Sequence, residues 1–232
     1  MYALIIAGGE GQRLRPLTID RPKAMVPVAG KPILEHQVQW LRDNGVGEIV
    51  VACGHMHEVI EDYFGDGSRW GVRIQYSLED KPLGRGGALK LAYRLVPPDE
   101  RLIIAGNGDN VHTQPLAPMI RQHIRTHAVA TLLLTQLRSP YGIAQQRGKR
   151  IIGFREKPLL PHWLSAGMYV LNREFFADLP DVGDHEDQLF PRLAAEGKLY
   201  GFRSRSYWKA IDTMKDLSEA EQELRQLTGA QA

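Results

Sequence analysis

The sequence predicts an α/β fold: a mixed, mostly parallel sheet with helices on both faces, joined to a smaller β-rich part. Two observations carry this. From Tyr2 to Leu137, apolar strand-length runs alternate with helix-length stretches, the βαβ order of parallel sheets. The first run also stops at a glycine loop that leads straight into cations, the kind of loop that open, Rossmann-like sheets place at the carboxyl ends of their strands. A chain of 232 residues is long enough for one large domain of this class. Its 43% hydrophobic and 24% charged residues are ordinary for a globular core.

Tyr2 to Ala7 is an apolar run suited to a buried strand, ended by Gly8-Gly9-Glu10-Gly11. Pro32 suits a helix first turn; Ile33, Leu34, Val38 and Leu41 then form one apolar face, and Asn44-Gly45 ends it. Glu48 to Ala52 is the second strand, followed by a helix from His55 to Phe64. Val72 to Ser77 is a strand and Gly86 to Leu95 a helix. Leu102 to Ala105 is a strand running into Gly106-Asn107-Gly108-Asp109-Asn110. Pro115 to His127 is a helix and Val129 to Leu137 a long strand. After Ser139 the texture changes to short strands at Tyr141–Ala144, Ile151–Phe154 and Ala166–Leu171, with Gly148-Lys149 as a hairpin turn. Helices return at His185–Glu196 and Met214–Leu227. No linker, repeat or low-complexity tract interrupts the chain, so a single domain over 1–232 is expected, with one lobe at about 1–138 and a second at about 139–232. Leu217, Ala220, Leu224 and Leu227 line one side of the last helix; core packing and a dimer face both fit, which leaves a homo-oligomer open.

Several function classes are disfavoured. A net charge of +2 implies no general nucleic-acid or membrane-binding surface. The single cysteine, Cys53, makes neither an internal disulfide nor a cysteine zinc cluster, and is read as a small buried apolar residue. The first apolar run is neither a signal peptide nor a membrane span, so the cytoplasm is the default compartment. His123 and His127 have the i, i+4 spacing of a zinc pair, but no glutamate accompanies them as in H-E-x-x-H, and a solvated helix face is the expectation. No Ser-His-Asp or Cys-His arrangement stands out.

The opening segment points to phosphate. Glycines let backbone N–H groups approach an anion closely, and Arg13, Arg15, Arg21 and Lys23 add fixed positive charge beside them. A dinucleotide loop would need a third glycine where Leu14 stands, and G-K-[ST] of a P-loop is absent. Asp109, just past an apolar strand, suits Mg²⁺ as a hard oxygen ligand or closes the strand as an Asx turn.

The segments A-G-G-E-G-Q-R-L-R-P-L-T (Ala7 to Thr18) and R-P-K-A-M-V-P (Arg21 to Pro27) resemble the signature of the sugar-1-phosphate nucleotidylyltransferases, also called nucleotide-sugar pyrophosphorylases, and weaker motifs extend the resemblance to about residue 217. It implies the nucleotide-diphospho-sugar transferase fold and the reaction of an NTP with a sugar 1-phosphate to give an NDP-sugar and pyrophosphate. It implies nucleotide binding by Ala7, Gly8, Gly9, Gly11, Gln12, Arg13 and Lys23, with Gly108 and Asp109, and with Glu79 and Gly84 on the base side. Arg13, Lys23 and Asp109 take the catalytic roles: Arg13 at the leaving pyrophosphate, Lys23 at the α-phosphate, Asp109 on Mg²⁺. Glu156-Lys157-Pro158 resembles the family's E-K-P, which puts Lys157 on the sugar phosphate and Glu156 on a hydroxyl, with Gly142 nearby. Ser165-Ala166-Gly167-Met168-Tyr169 resembles N-A-G-x-Y with serine in the asparagine's place. Leu83 to Ala88 resembles L-G-T-A-G-A, with Arg85 where a small residue is usual.

The departure that matters most is Tyr207-Trp208-Lys209-Ala210-Ile211-Asp212-Thr213. It resembles W-x-D-x-G-T, but Ala210 occupies the place of the second metal aspartate and Asp212 that of the glycine. A related pattern of the glucose-1-phosphate cytidylyltransferases, W-x-x-M-D-T, carries its aspartate at the later place. Either Asp212 joins Asp109 as a metal ligand from a shifted backbone position, the reading we favour, or the metal site is degraded. The first lobe looks most like mannose-1-phosphate guanylyltransferases and relatives acting on hexose or heptose phosphates. GTP is therefore the favoured nucleotide, with CTP and UTP as alternatives. Without the long C-terminal extension of many relatives, a stand-alone catalytic domain is expected. The rival hypothesis, motivated by Ala210 and Ser165, is a catalytically impaired regulatory subunit that binds nucleotide sugars.

Overall fold

The computed structural model describes residues 1–229. Strand β1 (Tyr2–Ile6) leads through the glycine loop to a minimal ladder, β2 (Pro27–Val28) and β3 (Lys31–Pro32), and into helix α1 (Ile33–Asp43). Next come β4 (Glu48–Cys53), α2 (His57–Phe64), β5 (Arg73–Leu78), α3 (Gly84–Tyr93), β6 (Leu102–Asn107), β7 (Asn110–His112), α4 (Leu116–Thr126) and β8 (Ala130–Arg138). The second half holds β9 (Ile143–Arg147), β10 (Arg150–Arg155), β11 (Leu159–Asn172), α5 (Glu174–Ala177), α6 (His185–Ala195), β12 (Leu199–Arg203), β13 (Trp208–Ala210) and α7 (Met214–Gly229).

Seven strands form one sheet in the order β12-β8-β11-β6-β1-β4-β5. β1 pairs in parallel with β4 and β6, and β4 with β5. β11 runs antiparallel to both β6 and β8, while β12 is parallel to β8. The sheet is therefore mostly parallel with one reversed strand. Side-chain alternation along β1 explains the two layers of helices. Ala3 and Ile5 face a core with Leu34 and Val38 of α1, Ile60 and Phe64 of α2, and Met119 of α4. Tyr2 and Leu4 face the opposite core, with Leu89 of α3, Phe175 of α5 and Phe190 of α6.

Two sequence expectations change. β11 begins at Leu159, not at Ala166, and together with β12 it completes the central sheet. Its first half is mostly half-exposed or exposed, so it lacks the apolar run by which a buried strand is recognised. The hairpin β9–β10 and the short β13, which pairs with β7, stand outside that sheet. His123 is not on a solvated face. It is 1% exposed, its ring nitrogens at hydrogen-bond distance from Thr131 Oγ1 (2.9 Å) and Asn172 Oδ1 (3.1 Å), because Leu116, Met119 and His123 form the sheet-facing stripe of α4. His127 is exposed at the helix end, so the two do not form a zinc pair. Cys53 is buried as expected, which pushes its thiol up to about 12. The apolar side of α7 is used internally: Leu217, Ala220 and Leu224 pack with Leu14, Val26 and Ile211 under the glycine loop, while Leu227 is exposed.

Candidate active site

The chain leaves β1 toward β4 on one side and later returns as β6 on the other, which makes the carboxyl ends of β1 and β6 a topological switch point. A cleft of about 810 Å³ opens there. Ala7, Gly8, Gly9 and Lys23 line it from the glycine loop, Glu79 and Gly84 from the far wall, and Gly108 and Asp109 from the end of β6. Gly108 must be glycine: its N–H donates to the Ile6 carbonyl at 2.7 Å, and a Cβ there would lie 2.8 Å from that oxygen. Gly11 has φ +66°, and a Cβ would meet the Lys23 stem at 2.8 Å. Gly11, Gln12 and Arg13 stand outside the cleft wall, on and before the short turn Gln12–Leu14. Of the four cations after the loop, Arg21 is spent on its neighbour Asp20.

Asp109 and Asp212, 103 positions apart, are brought together. Lys23 Nζ donates to Asp109 Oδ2 at 2.7 Å and to Asp212 Oδ1 at 2.5 Å, and Arg13 Nη2 donates to Asp212 Oδ1 at 2.9 Å. The cause lies in two elements the sequence did not reveal. β7, right after Asp109, pairs antiparallel with β13, and the Ile211 N–H donates to the Asp109 carbonyl at 3.0 Å. Asp212 follows at once, just before the first turn of α7. Thr213 and Asp216 cap that turn reciprocally, and the Asp216 carboxylate also accepts the Asp212 N–H. Ala210, opposite Asn110 in the ladder, is not needed to bring a carboxylate to this place.

Other buried groups fix the same loop. Gln37, 5% exposed on α1, donates to the carbonyls of Asn107 (2.6 Å) and Asn110 (2.8 Å), bracketing Asp109. Asn110 Nδ2 and Trp208 Nε1 both donate to the Ala166 carbonyl on β11, tying the Asp109 loop and the Asp212 strand to the Ser165 segment. Periodicity marks Gln37 only as a polar residue on a helix; nothing local signals its partners 70 residues on.

The far wall holds Glu79, whose carboxyl is raised by burial, an effect partly offset by the Leu83 N–H it accepts. Arg85 neither stacks nor faces solvent alone. It binds Asp184 Oδ2 at 2.5–2.6 Å and Glu186 Oε2 at 2.7 Å, and Glu186 Oε1 accepts the Tyr169 hydroxyl at 2.7 Å, with Ser165 Oγ at 3.5 Å. Arg85 thus links the loop before α3 to the start of α6 and the Ser165 strand. Glu156 and Lys157 are exposed at the base of the hairpin, with Gly142 packed so closely that a Cβ would meet Phe154 and the Glu156 carboxylate. These three form a group of their own beyond the cleft wall.

Residues 2–226 match the family model described as nucleotidyl transferase. The chain belongs to the sugar-1-phosphate nucleotidyltransferases. The enzyme is 34% identical over 230 residues to D-glycero-alpha-D-manno-heptose 1-phosphate guanylyltransferase of Aneurinibacillus thermoaerophilus, covering 97% of this chain and 99% of that one. It is 37% identical to mannose-1-phosphate guanyltransferase of Yarrowia lipolytica and 33% identical to mannose-1-phosphate guanylyltransferase of Mycobacterium tuberculosis. The alignments cover 93% and 92% of this chain but only 62% of each of those longer proteins. Among solved structures, a putative glucose-1-phosphate thymidylyltransferase from Bacillus anthracis superposes with a TM-score of 0.78 at 25% identity, over 97% of the enzyme and 95% of that chain. HddC from Yersinia pseudotuberculosis, complexed with GMP-PN, shares the fold, with a TM-score of 0.76 at 23% identity over 96% and 99%.

Proposed function

We propose that the enzyme is a guanylyltransferase that joins GTP to a hexose or heptose 1-phosphate of the manno series, releasing pyrophosphate. The observation that carries the proposal is the meeting of Asp109 and Asp212 around Lys23, at the edge of a glycine-lined cleft on the switch point of the sheet. The heptose 1-phosphate guanylyltransferase of matching length and the longer mannose-1-phosphate guanylyltransferases support the guanine and the sugar. Residues of about 1–138 hold the nucleotide in this reading and those of about 139–232 the acceptor, in a cytoplasmic protein. Among the described residues no helix is long and apolar enough to cross a membrane.

The acceptor phosphate is already ionised at neutral pH, so no general base is required. The obstacle is bringing several negative charges together, and catalysis is positioning and charge neutralisation. Backbone N–H groups of Gly8, Gly9 and Gly11 hold the triphosphate. Lys23 meets the α-phosphate, Arg13 the departing pyrophosphate, and Lys157 the acceptor phosphate, with Glu156 and Ser165 toward the sugar. The two carboxylates fit Mg²⁺: they are hard oxygen donors that converge on one cation already, here an ammonium. A bound Mg²⁺ would add positive charge where the reacting phosphates' negative charges gather.

Pyrophosphate release measured for GTP, CTP, UTP and ATP against mannose, glucose and heptose 1-phosphates tests the proposal. We expect turnover with GTP and a manno-configured acceptor. Turnover with CTP alone would transfer the assignment to the cytidylyl group. No turnover with any pair, in a protein that still binds GTP, would favour the regulatory subunit; the compensation of Ala210 by Asp212 argues against it.

A further inference from the structure

Lys23 is committed twice. Its ammonium, on a side chain only 11% exposed, joins the two carboxylates. The same residue lines the cleft in which it is assigned to the α-phosphate. Lys23 and Arg13 together balance Asp109 and Asp212, so the cluster is neutral as it stands.

We propose that Lys23 is the resident counter-ion of the Asp109–Asp212 pair and keeps a divalent cation out until a nucleotide's phosphates draw its ammonium away. A dication approaching the cluster meets no net negative charge. It also meets an ammonium bonded to an oxygen of each carboxylate it needs, and like charges at such range oppose one another. A triphosphate changes both conditions. It offers the ammonium new anionic partners, and the lysine stem is long and flexible enough to turn toward them. The carboxylates are then left facing each other, an arrangement that repels unless a cation returns. Metal and nucleotide therefore load together, and the coupling is reciprocal: each raises the affinity of the other.

This inference rests on the metal-site reading above, and the test separates the two. Mn²⁺ is titrated into the full-length protein without nucleotide, and binding is followed by the electron paramagnetic resonance signal of free Mn²⁺. Wild type is compared with Lys23→Met, which keeps the stem and removes the charge, and with Lys23→Gln as a second neutral variant should the first fail to fold. We expect Mn²⁺ to bind at least tenfold more tightly to the neutral variant, and the gain to vanish when Asp109→Asn or Asp212→Asn is added. If the neutral variants bind Mn²⁺ no better than wild type while the aspartate variants weaken binding, the metal site stands and the counter-ion role is wrong. If Mn²⁺ binding is indifferent to both aspartates, the metal site itself fails and the inference falls with it.

Discussion

Gln37 supports the Asp109 turn from behind, through two carbonyls, without lining the cleft. Gln37→Leu removes both donors and strands two acceptors. We expect a loss of about 1–3 kcal/mol in chemical denaturation and a fall in kcat larger than any change in the KM for GTP. An unchanged kcat would show that the turn holds its shape alone. Lys157 stands at the other end of the site, exposed and outside the cleft wall. Lys157→Ala should weaken sugar 1-phosphate binding by tenfold or more in calorimetry and leave GTP binding within about twofold, since one charge-assisted contact contributes about 1.5–3 kcal/mol. Equal losses for both ligands would contradict the division between nucleotide and acceptor halves. At this scale the glycine loop and Lys23 were legible because they sit in one short, chemically conspicuous stretch, and Asp109 because it stands alone just past an apolar strand. Gln37 and the partners of Arg85, Asp184 and Glu186, were not, because a polar side chain announces itself but not what it will meet 70 or 100 residues later.

The elements that set the site are the shortest ones. β7 and β13 have three residues each, too few for any periodicity to show, yet their pairing brings Asp212 to Asp109. The start of α7 was better signposted. Thr213-x-x-Asp216 is the pattern of a capping box, and in the fold its carboxylate accepts the N–H of Asp212 as well as that of Thr213. Thr213→Ala should destabilise the protein by about 1 kcal/mol and reduce turnover beyond what that loss explains, because Asp212 is the residue before the cap. A variant with the expected stability loss but full activity would mean that the β7–β13 ladder alone positions Asp212. The long strand β11 was half legible. Its apolar half, from Ala166, announced a buried strand. Its half-exposed beginning did not, and nothing local says that it runs antiparallel between β6 and β8.

For the whole molecule, two buried histidines make stability depend on pH. His112 packs edge-on against Trp40, with Nδ1 unpartnered, and burial lowers it to about 4. His185 is ringed by Tyr169, Phe175 and Phe190, neither nitrogen is hydrogen-bonded, and burial lowers it to about 4 as well, outweighing the Asp184 carboxylate 3.8 Å from Nδ1. Each is neutral in the fold and takes up a proton on unfolding below the ordinary value of 6.5. Between about 6.5 and 4 the unfolded chain therefore binds more protons, and stability falls as the pH falls. The displacement corresponds to about 3 kcal/mol per residue, with Glu79, raised by burial, working in the opposite direction. Urea denaturation should show a protein weaker by several kcal/mol, to order of magnitude, at pH 4.5 than at pH 7.5; a flat profile would mean that water or a partner reaches the rings. The α/β class was legible at this scale because alternating apolar runs reflect a global arrangement, and the shared sheet of the two halves was not, because strand order is fixed by packing between distant segments. In the proposed mechanism Asp212 supplies the carboxylate that Ala210 lacks. The most direct measurement is Mg²⁺-dependent pyrophosphate release by Asp212→Asn beside wild type, with GTP and the best sugar 1-phosphate at limiting Mg²⁺. We expect wild type to turn over without any change at Ala210, and the variant to lose roughly 10²–10³-fold in kcat. Full activity of Asp212→Asn under those conditions would contradict this role of Asp212.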